Sequence, residues 1–392
     1  MKINTILQSA ALILLLVLIS SIASASITET RITTCGNGTN PAIYDNNVVW
    51  QDACNGNSAI YVLDTSTNKE TKFTDESTQF NPSIYSNRIV WNEYPGINAG
   101  TIYMYNLSNH KETSLFSGDL DIPIIYGNIA IVNSEVGVLI YDLCTKQKTQ
   151  IYDHAGWSTS NPAIYGNDIV WEGHPDEDGI SDIYMYDLST RKESKISNSG
   201  KASNPSIYGN KIVWADERNG NYDIYMCDLS TKRETQITTN SSDSINPVIY
   251  GDNLVWQDNQ NGNWNIYAFN LVTHQEIHTT EKADQVDPAI YSNKIAWTDY
   301  RSGKPDIYKG IISYLPVASF IASSTHGKHS LNVQFTDKST DAYYWHWKFG
   351  DGSTSTLKNP LHKYTKTGKY TVSLKATNAM GCNTKTKSIT VT

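Results

Sequence analysis

The side chains with the most chemical potential in this sequence are two histidines set in irregular, acidic stretches. His154 lies in Tyr-Asp-His-Ala-Gly-Trp, with Trp157 three residues on, and His174 opens His-Pro-Asp-Glu-Asp-Gly, which places Asp176 beside it. Imidazoles and carboxylates together can hold a divalent metal, and a lone Trp can stack on a sugar ring. These four residues are candidate ligand-binding positions, with metal binding open; two solvated loops with incidental histidines read the same way. The recurring Asp-x-x-Asn-Gly-Asn-x-Asp stretch, as from Asp216 to Asp223, has calcium-like spacing. It lacks the carboxylate array and terminal bidentate Glu of an EF-hand, and its central Asn-Gly favours a hairpin turn. No G-x-S-x-G, no H-E-x-x-H and no phosphate-binding glycine loop occurs, so the sequence assigns no catalytic residue and no cofactor.

What would position such groups is a repeat. Asn40-Pro41-Ala42-Ile43-Tyr44 returns at Asn81-Pro82, Asn161-Pro162, Asn204-Pro205, Asn246-Pro247 and Asp287-Pro288, with a degenerate copy at Ile122-Pro123. The prolines stand 41, 41, 39, 43, 42 and 41 residues apart, and a Trp follows nine residues later in six copies, Val132 in the third. Seven copies at this period predict a propeller or a solenoid. Each unit reads as four short strands, a to d: Asn204–Tyr208, Ile212–Trp214, Ile224–Cys227 and Arg233–Thr238 in one of them, joined by Gly, Asn and Asp turns. The seventh unit stops after strand c, at Asp306-Ile307-Tyr308, while Thr28-Glu29-Thr30-Arg31-Ile32-Thr33-Thr34, ahead of the first, matches Arg233 to Thr239. The N-terminal segment is therefore expected to supply the missing outer strand, which closes a ring and selects the propeller.

The unit N-P-x-I-Y-x-N-x-I-V-W … D-I-Y-x-Y-D-L-S-T-x-K-E-T resembles the TolB-like propeller repeat of archaeal and bacterial surface proteins. The helical N-terminal domain of TolB itself has no counterpart in the sequence. After Ser313 the pattern changes. Trp347-Lys348-Phe349-Gly350-Asp351-Gly352 and then His362-Lys363-Tyr364 with Gly368-Lys369-Tyr370 resemble the PKD domain, an immunoglobulin-like β-sandwich. That resemblance implies that Trp347 packs in a core, that Gly350-Asp351-Gly352 is a turn, and that the module is a spacer or a contact to protein or polysaccharide. The expected fold class is all-β: a seven-bladed propeller closed by the N-terminal strand over 26–312, then a PKD sandwich over 313–392.

Residues 1–25 read as a signal peptide: Lys2, an apolar run from Ala10 to Ile19, and Ala23-Ser24-Ala25 as a cleavage pattern. The mature chain then has no membrane-spanning stretch and is expected outside the cell or on its surface. In that setting Cys35, before the first strand a, and Cys54, in the b–c loop of the same blade, fall on one face and can form a disulfide; two free thiols are the alternative. Cys144 and Cys382 have no evident partner, and Cys227 fills a slot that holds Tyr in sister repeats, which suits buried packing. Three sequons begin at Asn37, Asn106 and Asn240. Residues 26–312 carry 20 Lys and Arg against 36 Asp and Glu, whereas residues 313–392 carry 10 Lys against 3 Asp. An acidic main body excludes nucleic acid as the natural partner. The expected function is binding or adhesion, the propeller's d–a/b–c face meeting protein or glycan and the PKD module acting as spacer or envelope contact. The alternative is a polysaccharide lyase: some lyases resemble this propeller and use metal-binding histidines, which would put His154 and His174 on a metal.

Overall fold

The computed structural model describes residues 25–54, 56–73, 77–94, 100–118, 120, 122–134, 137–151, 158–175 and 180–392. They form two compact units, Ala25–Tyr314 and Leu315–Thr392. The first unit holds seven four-stranded antiparallel sheets, each in simple a-b-c-d order. Blade 5 shows the pattern: strand a Ala202–Tyr208, b Lys211–Asp216, c Asp223–Asp228 and d Arg233–Gln236.

The sheets stack because each blade drives one large side chain into the blade before it. Trp214 packs with Val170 and Ile183, Trp256 with Val213 and Ile224, and Trp297 with Val255 and Ile266. The cycle closes at Trp50, which packs with Ala296 and Ile307 of blade 7. The six repeat tryptophans are all buried, and each stacks on the Tyr of its own strand c, as Trp297 does on Tyr308. Removing such a side chain from water contributes about 4 kcal/mol or more per interface. A second closed circuit runs along the axis. Tyr44, Tyr85, Tyr126, Tyr165, Tyr208, Tyr250 and Tyr291 touch in turn and return to Tyr44, with ring centroids 4.5–5.2 Å apart. The ring of seven blades is complete.

Blade 3 shows how the ring tolerates the missing Trp. Val132 sits in a cluster that Leu115 and Phe116, from the last strand of blade 2, help to fill. That strand carries a bulge opposite Ile102 and Tyr103, and the extra residue turns this apolar pair inward.

Closure follows the predicted route. Strand Ser26–Arg31 pairs antiparallel with strand c of blade 7, Asp306–Ser313, from Ser26 opposite Ser313 to Arg31 opposite Tyr308. The match extends to single atoms. In blades 4 and 5 a hydroxyl just after strand d receives the backbone N–H of strand c and donates to its leading Asp: Ser197 serves Ile183 and Asp182, and Thr238 serves Ile224 and Asp223. In blade 7 Thr33 takes that part, with Ile307 N at 2.8 Å and Asp306 Oδ1 at 3.0 Å. Two ion pairs add to it, Arg31 with the fully buried Asp306 at 2.5 Å and Arg301 with Glu29 at 2.6 Å.

Strand a departs from the sequence reading. It begins two residues ahead of the Asn-Pro pair, at Ala202 rather than Asn204 in blade 5, and Asn-Pro is a bulge inside it. Asn40, Asn81, Asn161, Asn204, Asn246 and Asp287 all take φ between 49° and 54°. Asn and Asp enter this left-handed region more readily than other residues with a Cβ, and proline brings no N–H for the ladder to miss. Ile122 is not among the left-handed residues, and strand a of blade 3 is only the three residues Ile124–Tyr126.

The second unit is a β-sandwich of a three-stranded sheet (Phe320–Ala322, Leu331–Asp337, Leu361–Tyr364) and a five-stranded one built on the long hairpin Gly368–Asn378 and Gly381–Val391. Trp347, Phe320, Phe335, Phe349 and Tyr364 fill its core. Asp351 serves its own turn, accepting from Ser353 N at 3.0 Å and lying 2.8 Å from His362 Nε2. Burial alone would raise its pKa, but the hydroxyl and amide of Ser353 and the His362 imidazole hold it below the usual carboxylate range.

Cys35 and Cys54 are joined by a disulfide with Cα atoms 6.0 Å apart. The bridge ties the segment just after the closing strand to the b–c loop of blade 1. Cys227 is buried in the blade 4–5 cluster, and burial raises its thiol pKa. Cys144 and Cys382 are exposed. Replacing both Cys35 and Cys54 by Ser is expected to lower the propeller's stability by about 3 kcal/mol, since the bridged loop is short. Thermal unfolding of the oxidised and double-Ser proteins checks this; equal midpoints would mean that the bridge does not hold the ring shut.

Candidate functional site

The bulges give the propeller a feature that the sequence reading did not identify. Six left-handed Asn and Asp residues, each followed by Pro, project from the innermost strands and line a cavity of about 370 Å³ at the d–a/b–c end of the central channel. Ile122 takes the seventh place and is 37% exposed. The ring of seven tyrosines lines a second cavity, about 330 Å³, towards the a–b turns. Burial and the neighbouring phenols push Tyr126 up to about 12, so these hydroxyls stay protonated at ordinary pH.

The amides of the upper ring are fixed by an ordered hydrogen-bond chain. Asn40 Nδ2 donates to Asn81 Oδ1 at 2.9 Å, Asn161 Nδ2 to Asn204 Oδ1 at 2.6 Å, and Asn204 Nδ2 to Asn246 Oδ1 at 2.7 Å. The residue after the Trp anchors this chain from behind. Gln51 Oε1 accepts from Asn40 Nδ2 and from the backbone N–H of Asn81; Glu172 does so for Asn161 and Asn204, and Gln257 for Asn246 and Asp287. Each anchor thus spans two blades and holds the rim in place. The signal for it was present in the sequence, in the residue types Asn/Asp before Pro and Gln/Glu after Trp. Reading it as a ring required knowing that the Asn-Pro pairs bulge towards one axis.

The sequence-predicted ligand positions are only partly within the described residues. His154, Trp157 and Asp176 lie outside them. His174 ends strand b of blade 4, half-buried, with Nε2 3.2 Å from both Glu172 Oε1 and Ser160 Oγ. It therefore braces the anchor Glu172 from the loop side. The Asp-x-x-Asn-Gly-Asn-x-Asp loops are internally satisfied: Asp216 accepts from Trp214 Nε1, Ser199 and Arg218, and Asn219 donates to Tyr225. Burial acts to raise the Asp216 pKa, and those donors outweigh it and bring it down. Of the sequon residues, Asn37 is exposed. Asn240 donates to Asp258 at 3.1 Å, and Asn106 accepts from the turn amide of Ser108 at 2.9 Å.

Residues 315–392 match the PKD domain. The propeller is similar to solved structures at low identity. The β-propeller domain of the Trilobed protease from Pyrococcus furiosus, described as having an open velcro topology, superposes with a TM-score of 0.58 at 11% identity over 71% of this chain and 93% of that one. An acylaminoacyl peptidase from Pyrococcus horikoshii gives 0.57 at 10%, over 77% of this chain and 57% of that chain, so this chain spans little more than half of the peptidase. An oligogalacturonate lyase in complex with manganese gives 0.53 at 13%, over 74% of this chain and 96% of that chain. At such identities the likeness is one of fold. A propeller with a PKD domain fits an extracellular-type protein, and among the described residues no helix is long and apolar enough to cross a membrane. The chain is a β-propeller followed by a C-terminal domain that matches the PKD family over residues 315–392.

Proposed function

We propose that this chain is a secreted or cell-surface binding protein whose d–a/b–c propeller face recognises a protein or glycan, with the PKD domain as spacer or envelope contact. Residues 1–25 act as the export signal in this reading. The observation that carries it is the Asn/Asp-Pro rim: a concave mouth with fixed amides and apolar proline walls, held from behind by Gln51, Glu172 and Gln257. Pre-organised polar groups in an apolar concavity suit recognition, because little ordering entropy remains to be lost on binding. A lyase reading draws on the likeness to the manganese-bound oligogalacturonate lyase and would need His154 and His174 on one metal.

The full chain is tested for saturable binding to isolated cell envelopes and to a panel of soluble polysaccharides, alongside Ile122→Arg. Ile122 is partly exposed at the mouth, so the variant fills the funnel with little cost to the fold. A tenfold or greater loss of binding is expected. Undiminished binding by a folded Ile122→Arg would remove the funnel from the function. A rise in unsaturated-product absorbance from the same polysaccharides with Mn²⁺ would replace binding with lyase chemistry.

A further inference from the structure

The hydrogen bonds around the funnel run in one direction, and at one joint they leave a carboxylate without a donor. Asn40, Asn161 and Asn204 each donate their amide to the Asn of the next blade, whose oxygen accepts. At blade 7 the repeat places Asp287, which has no amide to donate onward. On its far side Asn40 already gives both of its N–H groups, to Gln51 and Asn81. Blades 7 and 1 therefore bring a carboxylate and an amide oxygen to adjoining places on the rim, and among the described residues no hydrogen bond to the Asp287 carboxylate is formed. Pro288, Pro247 and Pro41 line the same cavity.

This rests on the binding role proposed above and specifies its ligand: we propose that the funnel takes an exposed lysine side chain of a partner protein, its ammonium seated between Asp287 and Asn40 Oδ1. A lysine supplies what the joint lacks, three N–H donors and one positive charge. Its four-carbon stem suits the proline collar, because a long charged side chain can lay apolar methylenes against apolar walls while the head finds its counter-ion. A calcium ion fits less well. It asks for six to eight oxygens, whereas the ring offers one carboxylate and amide oxygens of which those on Asn81, Asn204 and Asn246 already accept from a neighbour. Burial raises the Asp287 pKa, the cost of a carboxylate without a partner that an incoming ammonium would relieve.

The test titrates the full-length protein with Nα-acetyl-lysine methylamide by calorimetry or NMR, beside the same compound acetylated on Nε and beside Ca²⁺. The lysine probe is expected to bind with a dissociation constant on the order of 1 mM, the Nε-acetyl compound at least tenfold more weakly. Asp287→Asn should weaken the lysine probe by at least tenfold. That variant restores the residue found at five sister positions with the same backbone conformation, so its fold is safe. Equal binding of both lysine compounds, equal binding to Asp287→Asn, or Ca²⁺ excluding the probe through Asp287 would each overturn the inference. Ile122→Arg reports on the funnel whatever the ligand's charge; loss of binding there with no lysine-probe binding removes the lysine inference alone.

Discussion

Deleting residues 26–33 should cost this propeller more than any other change confined to its surface strands. The segment adds a whole outer strand to blade 7 and seats Ile27 and Ile32 in two inter-blade clusters. It also supplies the only described cation on Asp306, a side chain with 0% exposure, and the hydroxyl of Thr33 that caps Ile307 N. Arg31 is partly exposed, so leaving Asp306 without it and without Thr33 costs about 1–3 kcal/mol. The lost apolar contacts and the newly bare edge of Asp306–Ser313 add to that, and an uncovered edge strand invites association with other chains. The expected result is a fall in the unfolding midpoint of about 10 °C or more, with concentration-dependent aggregation. A synthetic peptide spanning residues 25–34, added in excess, should restore much of the midpoint by pairing in the vacant place. A deletion protein that melts with the parent, or that ignores the peptide, would show that the ring is closed by the inter-blade tryptophans alone.

The peptide experiment works because the closing strand was legible as a repeat fragment. Thr30-Arg31-Ile32-Thr33 carries the end of a d strand without a unit of its own, and the Thr33 hydroxyl has a job fixed by the repeat, the one performed by Ser197 and Thr238. Periodic features survive in sequence because seven copies average out local accident. The Asn-Pro pairs repeat as plainly, but they read as strand starters, because sequence alone does not show that an Asn in the left-handed region bulges towards the axis. Blade 3 lies between these cases. Its missing Trp was visible at Val132, but the compensation came from Leu115 and Phe116 in the neighbouring unit, and only a bulge in that unit's last strand brings them to the gap. His174 ends strand b of blade 4, and its Nε2 lies 3.2 Å from Glu172, two residues back on the same strand.

The PKD domain offers a sharper contrast between one residue and a whole fold. Trp347 is fully buried, touches Phe320, Phe335 and Phe349, and donates its indole N–H to Leu357 O at 2.9 Å. Truncation to alanine removes the largest side chain of the core and leaves that carbonyl without its donor, together about 3–5 kcal/mol. A unit of 78 residues has a single small core, and its net stability is on the order of 5–10 kcal/mol. Trp347→Ala should therefore bring the PKD domain close to its unfolding threshold at growth temperatures, whereas the same truncation at Trp214 removes one of seven inter-blade contacts from a larger unit. Limited proteolysis separates the two. Trp347→Ala should release a protease-resistant fragment ending near Tyr314, with the propeller's own thermal transition in place. If the PKD domain of Trp347→Ala resists protease as the parent does, its core is held by the Phe320–Phe335 contact and the long Gly368–Val391 hairpin rather than by the indole at its centre.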